Sequence, residues 1–153
     1  DGGLDLMIAH PDCTYLCSSG MHWTTRGKRD PALTDDAIHL AEALWTCDIP
    51  RICIENPIGV LSTRSVLGKP AQIIQPWQFG HDAAKATCLW LKNLPPLKPT
   101  RLIEPRIVDG KKRWANQTDS GQNRLPPSED RWMKRARTYE GIARAMAETW
   151  SKL

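Results

Sequence analysis

Two short apolar runs constrain this chain most, because each one stops at residues that carry chemistry. Leu4-Asp5-Leu6-Met7-Ile8-Ala9 leads into His10-Pro11-Asp12-Cys13-Thr14, and Ile49-Pro50-Arg51-Ile52-Cys53-Ile54 leads into Glu55-Asn56-Pro57. Short apolar runs bounded by Gly or Pro read as buried strands. Between them Ala37, Leu40, Ala41 and Leu44 recur at helical spacing, with Thr34 as N-cap and Asp35 and Asp36 in the first turn, which predicts a helix over 35–47. Strand, helix, strand is the unit of a parallel sheet. A cysteine just past one strand end and a carboxylate just past the next then lie side by side at the carboxyl edge, where open α/β sheets bind ligands. A thiolate beside a carboxyl acid can attack an electron-poor ring and protonate it.

The rest of the chain is less regular. A polar loop is expected from Ser18-Ser19-Gly20 to Pro31, and a loop-rich segment over 56–83 with a short strand at Ala71 to Ile74. Ala86-Thr87-Cys88-Leu89-Trp90-Leu91 is a third strand candidate. Residues 94–130 read as an irregular, proline-rich region with a hairpin around Asp109-Gly110, a strong turn pair. A closing helix is expected from Ser128, with Trp132, Ala136, Tyr139, Ala143, Met146 and Trp150 on one face.

With 153 residues the chain suits one domain over 1–153, and no apolar stretch is long enough to cross a membrane. Five scattered cysteines and no visible leader imply reduced thiols and a cytoplasmic location. The spacing of Cys13, Cys17 and His22 is too loose, and one ligand short, for a zinc site, so no metal is expected. Charge is uneven: the net is +4, but residues 101–153 alone carry twelve Lys/Arg against seven Asp/Glu. A solvated basic face and contact with a phosphate backbone explain that equally well. Lys111, Lys112, Arg113, Arg131 and Arg135, with Lys134 and Arg137, are the candidate phosphate contacts. Trp23, Trp77 and Trp114 are candidates for stacking on bases.

Taken in order and spacing, these segments resemble the cytosine-C5 DNA methyltransferases, most closely the small phage-type members. Pro11-Asp12-Cys13 is similar to the family's Pro-Cys motif after the fourth strand, and Glu55-Asn56-Pro57 to its Glu-Asn motif after the fifth. Phe79-Gly80-His81 through Lys85-Ala86-Thr87-Cys88-Leu89-Trp90 resembles the segment leading into and forming the sixth strand. Tyr139-Glu140-Gly141-Ile142-Ala143-Arg144-Ala145-Met146-Ala147 looks like the closing helix.

The resemblance implies an α/β fold: part of a doubly wound, Rossmann-like methyltransferase sheet, mainly parallel, with flanking helices. It implies Cys13 as the nucleophile that adds to C6 of a flipped-out cytosine and Glu55 as the acid at N3 and the exocyclic amine. Pro11, Asn56 and Pro57 would shape the substrate loop. Lys85 and Thr87 are candidates for substrate contact, with an exposed strand start as the plainer reading. S-adenosylmethionine is the expected methyl donor, yet the glycine loop that cradles it in the family is not found in this sequence. The chain therefore resembles the part of the family from the Pro-Cys motif onward. DNA is the expected substrate. Either a complementing N-terminal half or a homodimer through an exposed strand edge near 4–9 is the expected protein partner. The other reading is a non-catalytic, nucleic-acid-binding or subunit-like remnant.

Overall fold

The computed structural model describes residues 3–124 and 138–153. Its strands are β1 (Leu6–Ala9), β2 (Arg51–Pro57), β3 (Gln72–Ile74), β4 (Thr87–Lys92), β5 (Arg106–Val108) and β6 (Lys111–Arg113). Its helices are α1 (Ser18–Thr25), α2 (Pro31–Thr46), α3 (Leu61–Arg64) and α4 (Glu140–Trp150), with one 3-10 turn at Pro76–Gln78. The fold is mixed α/β. Its contacts divide into two compact units, Asp1–Ile73 with Thr87–Pro96, and Ile74–Ala86 with Leu97–Leu153.

The main sheet has the order β1-β2-β4-β3. β1 and β2 run parallel, with Leu6 opposite Arg51 and Ala9 opposite Ile54. β2 and β4 run antiparallel, with Ile54 opposite Trp90 and Glu55 opposite Leu89. A mainly parallel sheet is therefore not what the described strands form. An apolar run such as Thr87 to Leu91 carries no mark of direction, and between β2 and β4 only the four-residue α3 and the 3-10 turn are helical. A parallel pair is usually joined through a longer crossover helix.

In the first unit one sheet face packs on α2. Ile52, Ile54, Cys88 and Trp90 join Leu16, Ile38, Ala41, Leu61 and Leu67 in a buried cluster. α2 starts four residues earlier than predicted. Asp30 caps it by accepting the Ala32 N–H at 2.9 Å, and Pro31 takes the first turn, where a missing N–H costs nothing. Thr34 is then inside the helix and buried, and the buried stripe is Thr34, Ile38 and Ala41, while Leu40 faces solvent. The expected loop after Ser18 opens with α1 instead. That helix buries no residue, so no apolar period announced it.

In the second unit β5 and β6 form the expected hairpin, with Asp109 and Gly110 both at positive φ, as a tight two-residue turn requires. α4 buries Ile142, Ala145, Met146 and Trp150, whereas Ala143, expected on that face, is exposed. At the start of α4 the Gly141 N–H donates to Nε2 of His81 at 2.9 Å. Trp77 and Trp114 stack on each other at 5.1 Å, so each has one ring face covered by protein. Ser128, Glu129, Asp130, Trp132 and Ala136 lie outside the described residues. Among the described residues no helix is long and apolar enough to cross a membrane.

Candidate active site

The loop after β1 is a tight, fastened turn. The carbonyl of Cys13 accepts the N–H groups of Leu16 and Cys17, each at 3.0 Å. Asp12 Oδ1 accepts both the N–H and the hydroxyl of Thr14, at 2.9 and 2.6 Å. This Asx-type turn commits the Asp12 carboxylate to its own loop. Arg29 donates to the Thr14 carbonyl at 2.8 Å, and the buried Thr34 hydroxyl donates to the Tyr15 carbonyl at 2.9 Å.

The same loop is joined to the end of β2. The Asn56 side-chain amide donates to the Pro11 carbonyl at 2.9 Å. Further on, the Ser18 N–H donates to Ile58 O at 3.0 Å and the Val60 N–H to Leu16 O at 2.9 Å. Gly59 permits this approach: a Cβ there would stand 1.9 Å from the Leu16 carbonyl oxygen. The Pro-Asp-Cys and Glu-Asn-Pro segments, forty-odd residues apart, are thus held to one another by side chain and backbone together.

Glu55 sits inside β2 rather than just past it, because β4 extends the pairing through Pro57. Along the parallel register Ala9 faces Ile54, so the next pair is His10 and Glu55. His10 Nδ1 lies 3.1 Å from Glu55 Oε2, with the Glu55 side chain 10% exposed and that of His10 43% exposed. His10 thus faces the candidate acid. The contact lacks hydrogen-bond geometry, and both Glu55 Oε2 and Asn56 Oδ1 are buried without a hydrogen-bond partner. Buried acceptors left open are uncommon and mark a place where a donor is wanted.

The cysteines differ sharply. Cys53 is fully buried, and its thiol is pushed up to about 12 by burial first and then by the Glu55 charge beside it. Burial also raises Cys88. Neither supplies a thiolate at neutral pH. Cys13 is half-buried, at the turn where the loop meets β2.

The other predicted residues are dispersed. Pro57 and Thr87 pair across β2 and β4, and Thr87 is buried, not at an exposed strand start. Lys85 belongs to the second unit, where its N–H donates to Gln75 Oε1 at 2.8 Å. Lys111 and Lys112 are exposed on β6, whereas Arg113 is half-buried and bonded to the Asp119 and Lys112 carbonyls. Arg131 and Arg135, like Lys134 and Arg137, lie outside the described residues. Sequence reasoning missed the fastening residues Arg29, Thr34 and Gly59. Only the strand register, which a sequence does not display, would have paired His10 with Glu55.

The described residues do not fit a nucleoside donor such as S-adenosylmethionine. A glycine turn from a strand end into a helix N-terminus would be needed. The link from β1 to α1 contains no glycine, and Gly59, after β2, is consumed by the Leu16 carbonyl. Among the described residues no group of His, Cys, Asp and Glu could hold a metal ion. No family model matches the chain, and neither the curated proteins nor the solved structures contain a significant match.

Proposed function

We propose that this chain carries the catalytic edge of a DNA cytosine-C5 methyltransferase-like protein, with its sheet as part of the doubly wound sheet of that superfamily. One observation carries the reading: the Asn56 to Pro11 hydrogen bond ties the Pro-Asp-Cys turn to the strand that holds the buried Glu55. A scattered pair of motifs would have no reason to be stapled in this way. The reduced, buried thiols Cys53 and Cys88 suit a cytoplasmic protein.

The chemistry follows from the groups present. The Cys13 thiolate forms a C–S bond to C6 of an extruded cytosine, and the electron pair of the C5–C6 double bond moves into the ring. A proton delivered to N3 through Glu55 leaves the adduct neutral and nucleophilic at C5. On elimination the N3 proton goes back to Glu55, which His10 faces at 3.1 Å. Methylation of C5 by S-adenosylmethionine is the step the family resemblance implies. The donor pocket would come from a complementing N-terminal half or a second copy. Among the described strands β1 lies at the sheet edge, where such pairing can add.

The test is covalent capture. Duplexes with 5-azacytosine opposite a mismatch, in randomised flanks, offer an electrophilic C6 and easy extrusion. The thiolate adds at C6, N5 takes a proton, and no methyl donor is needed. A protein–DNA adduct by intact mass, absent in Cys13→Ala and present in Cys17→Ala, is expected. Equal capture by Cys13→Ala would overturn the assignment. The missing glycine cradle favours the second reading, a non-catalytic binding remnant; a gel shift with no adduct in any variant would select it.

A further inference from the structure

We propose a second site, a phosphate-binding cleft in the second unit formed by Arg106, Arg113 and Arg124. It stands independently of the cysteine chemistry. The hairpin register sets Arg106 directly opposite Arg113, and like charges in that position repel. Arg124 joins them around a cleft of about 290 Å³, which Asp82 and Ala115 complete.

The guanidinium groups are held mainly by neutral oxygens. Arg106 donates to the Trp114 and Gln117 carbonyls, both at 2.7 Å. Arg113 donates through Nε to the Asp119 carbonyl at 3.1 Å, and Arg124 through Nε to the Gln117 carbonyl at 2.7 Å. Carbonyls orient a cation without cancelling its charge. Among the described residues the carboxylates nearby are Asp119, exposed and 3.2 Å from Arg106, and Asp82, one of whose oxygens accepts the Ala115 N–H at 2.9 Å. Three fixed cations therefore face one cleft with incomplete compensation. The Arg113 Nη2 and both terminal nitrogens of Arg124 have no protein partner among the described residues. Oriented guanidinium forks with spare N–H groups match the oxygens of a phosphate.

The sequence pointed to Lys111 and Lys112 on the exposed strand; the cleft uses Arg113 with two arginines that charge runs did not single out. The ligand chemistry is a phosphate group, either free or within a nucleic-acid backbone. The experiment titrates inorganic phosphate into the full chain at low salt, followed by Arg Nε–H resonances, and then short oligonucleotides. Saturable shifts of Arg106, Arg113 and Arg124 are expected. Arg124→Gln should weaken binding about tenfold, since a charge-assisted hydrogen bond is lost. Lys98→Gln, a matched charge loss elsewhere on the surface, should stay within about twofold. If oligonucleotides displace phosphate, with a salt slope about one unit lower in Arg124→Gln, the site takes backbone phosphates. If phosphate binds and oligonucleotides do not compete, the site takes free phosphate or a phosphomonoester. No shift at millimolar phosphate, or equal loss in Lys98→Gln, overturns the proposal.

Discussion

The two compact units are built by different means. The first hangs on a sheet whose central residues Ile52, Cys53, Ile54 and Leu89 are completely buried, and apolar packing specifies it. The second contains a long irregular stretch wired by side chain to backbone bonds. Asn116 both accepts from the Ala84 N–H and donates to the Ala84 carbonyl, while Arg106 and Arg124 gather carbonyls. Apolar packing tolerates exchange among similar shapes, whereas a staple works only with its own donor geometry. Mutation should therefore read differently in the two units.

The largest contrast is expected from one residue type in both places. Ile54→Ala empties a buried position between Ala9 and Trp90 and should lower unfolding free energy by about 4 kcal/mol. Ile107→Ala, on the exposed hairpin, should cost less than about 0.5 kcal/mol. Urea midpoints measure both, and similar losses would break the contrast.

Close backbone approach should make the units alike. Gly59→Ala drives a methyl into the Leu16 carbonyl, and Gly141→Ala places one 2.1 Å from the Phe79 carbonyl oxygen. Each should cost about 3 kcal/mol. Gly59→Ala should also release the Cys13 loop from the end of β2, seen as faster amide exchange at Ser18 and Val60. Unchanged exchange there would show that the Ser18 and Val60 bonds survive a Cβ at residue 59.

Arginine separates them again. Arg106→Met removes one donor from each of the Trp114 and Gln117 carbonyls, which keep the Gln117 N–H and Arg124 Nε respectively, and should cost about 2 kcal/mol. Arg64→Met breaks an exposed pair with Asp35 and should cost about 0.5 kcal/mol or less. Thermal melts of both variants decide it; an equal, small loss would mean the second unit does not depend on its staples.

What could be read from sequence follows the same division. β1, β2 and β4 were legible as short apolar runs, and α2 because Ala37, Leu40, Ala41 and Leu44 recur at helical spacing, although the buried stripe falls on Thr34, Ile38 and Ala41. The direction of β4 was not, since antiparallel and parallel strands share one apolar pattern. The candidate pair Cys13 and Glu55 stood out through proline-bounded motifs, although Glu55 lies inside β2 and not past its end. Its support did not: Thr34 looked like a cap and serves as a buried donor to Tyr15, and Gly59 matters only because Leu16 comes near. In the second unit the Asp109-Gly110 turn was visible, while the Arg106 and Arg124 bonds depend on a loop path that no local pattern encodes.

A further contrast lies in alkaline solution, and it probes the buried side of β2. Cys53 ionises near 9.0 when unfolded and near 12 when folded, because burial and the Glu55 charge disfavour its thiolate. Its folded pKa is raised, so its contribution is intact below pH 9.0 and is lost as pH climbs toward about 12. In that window the unfolded chain has released a proton that the folded chain retains. Burial raises Cys88 and Tyr139 in the same sense, so the wild-type midpoint should fall steadily above pH 9.0. Cys53→Ala is less stable at neutral pH, through its lost packing, but its decline with pH should be shallower. Parallel slopes for the two proteins would show that the Cys53 thiol is not shielded, and with it the burial of Glu55 two residues along the strand would be in question.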